Sequence, residues 1–328
     1  MASVAGNRTS TRSFSLSAPS EFNFHRTVLS HGWYDLPPFR WDAATGYLWR
    51  PLRLPGAGAA IARVRFLARG GVGAIESRIV ANAPITPGDL KTARRDIAHI
   101  FRLDENLGSF YRRADEVRRP DLRWTGSVGA GRLLRSPDVF EDLVKMICTT
   151  NCSWSLTRVM VTALVDRLGL EAPEGGRLFP DAAAMAGRPE RFYRDVVRAG
   201  YRASSLRGLA RRVAGGGLDL VSWNDPARPT PGIREEILSI DGAGPYVADN
   251  MLKLLGRYDG LGIDSWCRRK FSGMYHKGRA VKDRRIESFY EPFGAWRGLA
   301  LWCDITRDWF EGDKAVVGVT EKLTAATY

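Results

Sequence analysis

Asp264 is the residue of this chain best suited to chemistry. It is a lone carboxylate closing a glycine-rich turn, Gly260-Leu261-Gly262-Ile263-Asp264, twenty residues after Gly244. A carboxylate held this way can stabilise positive charge developing in a substrate and orient a water molecule. It can also cap a helix beginning at Ser265-Trp266-Cys267, and the two roles are compatible in one residue. Upstream runs Ile237-Leu238-Ser239-Ile240-Asp241-Gly242-Ala243-Gly244-Pro245-Tyr246-Val247-Ala248. Gly242 and Gly244 can take positive φ and let a partner approach the backbone closely. Pro245 suits a first helical turn, where its missing N–H would be unpaired anyway. The amides at that helix start form a ready anion site, and beside a basic surface the natural anion is a DNA phosphate.

These residues need helices to place them. Ile233, Ile237 and Ile240 recur about one turn apart, and Val247, Met251 and Leu255 recur at every fourth position. Two helices joined by a tight hairpin at Gly242–Gly244 follow from that spacing. Further upstream, Ser136-Pro137-Asp138 opens a helix with the stripe Phe140, Leu143, Val144, Ile147. Leu156, Val159, Met160, Ala163, Leu164 and Leu168 form the next, ended by Gly169. Leu90, Ala93, Ile97 and Ile100-Phe101 form an earlier one after Pro84 and Pro87. From Phe22 to about Ala81 the alternation in Tyr47–Leu52 and Ala60–Phe66, punctuated by Pro55-Gly56-Ala57-Gly58 and Gly70-Gly71, favours antiparallel strands. The expected fold is α+β. Its parts are a disordered tail over 1–20, an antiparallel β subdomain over 21–84, a mainly helical domain over 85–310 and a C-terminal tail over 311–328.

The 328 residues can hold two subdomains, each with its own core. A hydrophobic fraction of 44% marks a globular chain, and a net charge of +13 with a pI near 9.9 points to a polyanion partner. Cys148, Cys152, Cys267 and Cys303 make no disulfide framework in a chain this long and are expected as buried or free thiols. No apolar run approaches the ~20 residues of a membrane span. The first twenty residues carry Arg8 and Arg12 but no acid, and they lack the apolar stretch expected of a secretory signal; a disordered tail is expected there, with an organelle transit peptide as the alternative. A cytoplasmic monomer is expected, nucleoid-associated if bacterial.

The hairpin glycines followed by the aspartate resemble the helix-hairpin-helix DNA glycosylase superfamily. The likeness extends to Phe140–Asn151, to the turn Ala199-Gly200-Tyr201-Arg202-Ala203, to Ile100–Leu107 and to Trp296–Ala300, covering about residues 85 to 310. The resemblance implies that damaged double-stranded DNA is gripped at Gly242, Gly244 and Tyr246 and that Asp264 serves cleavage of the base–sugar bond. Breaking that bond develops positive charge on the sugar. Bifunctional relatives carry a lysine nucleophile at the position of Tyr246, and tyrosine forms no Schiff base. Lys253, two turns further along that helix, is read as facing away from that nucleophile position, and Lys270 lies past the aspartate, so neither is a substitute. A monofunctional enzyme leaving an abasic site is therefore expected.

The same resemblance assigns further roles. Asn151 matches the asparagine that fills the gap left by a flipped base, although it could equally cap a helix. Trp154 either wedges into DNA or packs. Leu156 stands where relatives carry an arginine that reads the orphaned base. Trp266 and Asn250 occupy base-pocket positions, Trp266 either stacking on the base or packing in the core. Arg268, Arg269 and Lys270 would meet phosphates. A monovalent cation at the hairpin carbonyls is implied, with no other metal. An iron–sulfur cluster is excluded, because only Cys303 lies in the last sixty residues. Tryptophan- and tyrosine-rich surroundings suit electron-poor alkylated purines. The alternatives are oxidised guanine, with or without lyase activity, and a DNA-binding protein without catalysis.

Overall fold

The computed structural model describes residues 9–69 and 72–310; the expected Gly70-Gly71 turn and the tail 311–328 lie outside it. Five strands form one antiparallel sheet: β1 (Ser10–Ser17), β2 (Arg40–Asp42), β3 (Tyr47–Leu54), β4 (Gly58–Arg69) and β5 (Val72–Ala81), in the order β1-β5-β4-β3-β2. β1 corrects the expected disordered tail over residues 9–20, pairing with β5 from Ser10↔Ala81 to Ser17↔Ala74. Its serine-rich sequence carries a faint apolar pattern, and Phe14 alone is buried. Backbone hydrogen bonding to an existing edge recruits such a strand, and no hydrophobic period announces it. The strand reading also fails over residues 24–35. Phe24–Val28 is a helix, α1, capped by Asn23, and a 3₁₀ turn spans Gly32–Asp35.

Twelve further helices follow in the described residues: α2 (Pro87–Ile100), α3 (Gly108–Glu116), α4 (Trp124–Val128), α5 (Val139–Cys148), α6 (Trp154–Leu168), α7 (Ala182–Ala186), α8 (Arg202–Ala214), α9 (Thr230–Leu238), α10 (Pro245–Leu254), α11 (Ser265–Tyr275), α12 (Asp283–Tyr290) and α13 (Arg297–Ile305). α2 starts with a capping box between Thr86 and Asp89. Asp89 also accepts from the Gly56 amide at 2.7 Å, tying the β3–β4 turn to the helix. Most of the buried apolar side chains run as one continuous cluster from Phe14 to Trp309, so sheet and helices share a core.

α5 is buried on every side, and Asp138 caps it in place of Ser136, accepting from the Glu141 amide at 2.9 Å. An ion-pair triad accompanies it into the interior. Arg50 of β3 donates to both oxygens of Glu141, at 2.8 and 2.5 Å, and Lys145 Nζ donates to Oε1 at 2.6 Å. This network fixes α5 against the sheet, and with it the Thr149–Cys152 turn that α5 delivers to the site.

Candidate active site

The hairpin forms as its glycines require. Gly242 has φ +81°, and a Cβ there would stand 2.7 Å from Ser205 Oγ of α8. Gly244 differs from expectation. It caps α10 with φ −82°, an ordinary region, and a Cβ there would meet nothing within 4 Å. Its value is an open face in front of the first α10 amides, where a phosphate can approach.

Asp264 does cap α11, accepting from the Cys267 amide through Oδ1 at 2.7 Å. Oδ2 takes no hydrogen bond among the described residues, so capping leaves half the carboxylate for chemistry. Asp264 stands on the boundary between two hollows. An inner cavity of about 170 Å³ is lined by Trp266, Trp302, Trp309, Tyr246, Asn250 and Lys253, among others. An outer groove of about 1010 Å³ runs past the hairpin Asp241–Val247, the turn Thr149–Ser153, Tyr201, Arg268 and Arg269. Thr149, Cys152, Tyr246, Asp264 and Trp266 line both. An engineered cavity of about 150 Å³ holds a benzene ring, so the inner one suits a flat aromatic group. Its indoles are set at angles: Trp266 lies 6.0 Å from Trp302 and 5.7 Å from Trp309, centroid to centroid. Burial, and then the charge of Asp264, raises the Tyr246 hydroxyl pKa well above its usual value, so Tyr246 is neutral.

On the groove's opposite side Asn151 is exposed in the left-handed region, φ +44°. Its Nδ2 donates to Tyr201 Oη at 3.4 Å, and Tyr201 is 61% exposed. The buried Arg202 guanidinium donates to the Thr150 carbonyl and hydroxyl, fixing the turn. Trp154 is placed differently from these two. It is 8% exposed, it leaves no room for a Cβ on Gly32, and its indole donates to Asp35 Oδ2 at 2.7 Å, which is the packed alternative. Leu156 packs partly buried against the core. Arg268 lines the groove but is ion-paired with Asp283 at 2.6 Å, and Lys270, outside the groove lining, is paired with Asp308 at 2.7 Å. Arg269 is exposed on the groove wall.

Lys253 contradicts its reading as a residue facing away. Seven residues are two helical turns and return to within about 20° of the Tyr246 direction, so both side chains line the inner cavity. Lys253 is 3% exposed, and its Nζ donates to Asn250 Oδ1 at 3.1 Å and to the Leu261 carbonyl at 2.6 Å. Burial pulls its pKa down to about 8. Counting helical turns from Tyr246 would have found it. Trp302 and Trp309, by contrast, lie some forty residues past Asp264, and no local pattern points to them. Among the described residues no group of three or more His, Cys, Asp or Glu is placed to hold a metal, and no helix is long and apolar enough to cross a membrane.

No protein-family model and no curated protein matches the sequence. Solved structures do. The 3-methyladenine DNA glycosylase from Archaeoglobus fulgidus superposes with a TM-score of 0.71 at 18% identity, over 91% of this chain and 100% of that one. MBOgg1 in complex with a low-affinity DNA ligand gives 0.68 at 20% identity, over 92% and 99%. The apo 8-oxoguanine glycosylase/lyase of Clostridium acetobutylicum gives 0.66 at 18%, over 90% and 98%. The chain therefore has the fold of these DNA glycosylases.

Proposed function

We propose that this protein is a monofunctional DNA glycosylase that flips a damaged base out of duplex DNA and hydrolyses its bond to the sugar. The observation that carries the reading is the position of Asp264, at the mouth between the aromatic cavity and the groove that holds the hairpin amides. A base in the inner cavity, on a backbone lying in the groove, sets its C1′ at that mouth. Asp264 then faces the charge that develops on the sugar as the bond breaks, and orients the water that adds to C1′. Asn151 and Tyr201, standing together and exposed across the groove, suit the gap left in the stack. Phosphates on one side approach the α10 amides past Gly244, with Arg269 near them.

Tyr246 occupies the mouth where a lysine nucleophile would act, and Lys253 lines the inner cavity but not the groove. The sugar carbon is therefore served by Asp264, and release of the base leaves an abasic site without a nick. Arg212 Nη1 donates to the hairpin carbonyl of Ser239 at 3.0 Å. The indoles stack on any purine, alkylated or oxidised.

End-labelled duplexes carrying alkylated, oxidised or deaminated bases, incubated with wild type and Asp264→Asn and split with and without hot alkali, test the reading. Asparagine caps a helix as well as aspartate, so the variant keeps the fold and removes only the charge. Alkali-dependent cleavage that falls ~10²–10³-fold in the variant is expected. Nicking without alkali would replace the monofunctional reading with a lyase. DNA binding with no base released from any duplex would reduce the protein to a binding module.

A further inference from the structure

We infer that Lys253 is a specificity-determining residue that donates to the leaving base, so that the cavity selects neutral lesions with a hydrogen-bond acceptor on the inserted edge and disfavours cationic N-alkylated purines. The inference rests on the glycosylase reading and deepens it. It replaces the alkylpurine preference drawn from aromatic content, because a fixed ammonium beside the rings repels a cationic base and opposes the attraction that they offer it.

The geometry is specific. Lys253 lies two turns deeper along α10 than Tyr246, in the inner cavity alone, so it faces the base and not the sugar. An ammonium has three donors; Asn250 Oδ1 and the Leu261 carbonyl take two. The third remains for the cavity. No carboxylate among the described residues lies within ion-pair distance of Nζ, so the charge is buried and incompletely compensated.

The other groups facing it leave its sign unopposed. Asp264 at the mouth and Asp249 on its own helix favour the charged form. Cys267 is a neutral thiol, pushed up to about 12 by burial. Tyr246 is neutral. His31, across the cavity, is held near 4 by burial and is a neutral imidazole bound to the Leu134 carbonyl. Among the described residues lining the cavity, Lys253 is thus the one basic side chain besides the neutral His31, and Asp264 the one Asp or Glu.

The chemistry balances without a further reactant. The C1′–N bond breaks with its electron pair on the base. Lys253 donates a hydrogen bond, or its proton, to the acceptor that gains that charge. Water adds to C1′ and gives up a proton past Asp264 to solvent, and Lys253 regains its proton from solvent. A cationic purine leaves as a neutral base and needs no such donor, while the ammonium repels it on entry.

Single-turnover release of 8-oxoguanine, hypoxanthine and 7-methylguanine from duplexes by wild type and Lys253→Met tests this. The variant is expected to lose ~10²-fold on the two neutral lesions and to change by less than about threefold on the cationic one. Equal loss on all three, or faster release of 7-methylguanine by wild type, overturns the proposal. Tryptophan quenching by 9-methylhypoxanthine and by the 7,9-dimethylguaninium cation reads the cavity without any chemistry. Wild type should bind the neutral analogue more tightly, and Lys253→Met should lose the difference. A neutral preference in a protein that releases nothing would sink the glycosylase reading and leave the cavity inference standing. Base release without that preference would do the reverse. Should the variant not fold, wild type carries the test: release of hypoxanthine should fall as pH rises through about 8, and release of 7-methylguanine should not.

Discussion

Among the described residues two lysines are buried, and they are treated in opposite ways. Lys145 on α5 lies 2.6 Å from Glu141, which also holds Arg50, and its ammonium stands 4.9 Å over the Phe39 ring. Lys253 on α10 has two neutral carbonyl oxygens and an open cavity. Burial lowers both pKa values, but a paired carboxylate opposes that shift for Lys145 alone. Where a charge serves to lock helix to sheet, the protein compensates it within the core. Where a charge is left short of partners and aimed into a hollow, the missing partner is a ligand.

Breaking the compensated region should have the largest effect. Glu141→Gln leaves Arg50 and Lys145 as buried like charges and should cost ~3–5 kcal/mol in denaturant unfolding. A loss below about 1 kcal/mol would mean that the network is not what fixes α5.

The uncompensated lysine should show itself in the pH dependence of stability. The unfolded chain keeps its proton up to the ordinary value of 10.5, whereas the folded one releases it near 8. Between those values the folded state binds fewer protons, so stability gains with rising pH. Wild type should therefore gain about 3 kcal/mol relative to Lys253→Met across that window. Parallel stability curves would show that the lysine is compensated after all and would erase the contrast with Lys145.

The hairpin glycines sharpen the comparison on a smaller scale. Gly242→Ala meets both positive φ and Ser205, and should cost ~1–3 kcal/mol with lost DNA affinity. Gly244→Ala has ordinary backbone angles and free space. It should hold stability within about 0.5 kcal/mol and weaken DNA binding alone. Equal melting shifts for the two would overturn the assignment of Gly244 to the open phosphate face.

The legible parts of the molecule were those specified by neighbours in sequence. Hairpin, caps and apolar stripes depend on residues three or four apart, and they stand where the pattern placed them: α9 and α10 around Gly242, Asp264 at the start of α11, Gly169 at the end of α6. The turn holding Asn151 was likewise readable. Strand β1 was not, because its ladder partner lies some sixty residues away and its own residues carry little apolar period. The partner of Lys145 sits on its own helix, but Arg50 comes from the sheet 91 residues before Glu141. Sequence alone could not tell this buried pair from a solvated charge run.

By itself, then, the sequence determined a basic α+β protein with a hairpin able to take a phosphate and one carboxylate set behind it, since each is a local signature of helix periodicity, turn chemistry or net charge. Tertiary structure alone decided that Asp264 stands between two hollows, that Trp302 and Trp309 fold back to wall the inner one, and that Lys253 is buried there without a carboxylate partner. Burial and cavity shape are properties of packed surfaces drawn from distant segments, and no spacing along the chain encodes them.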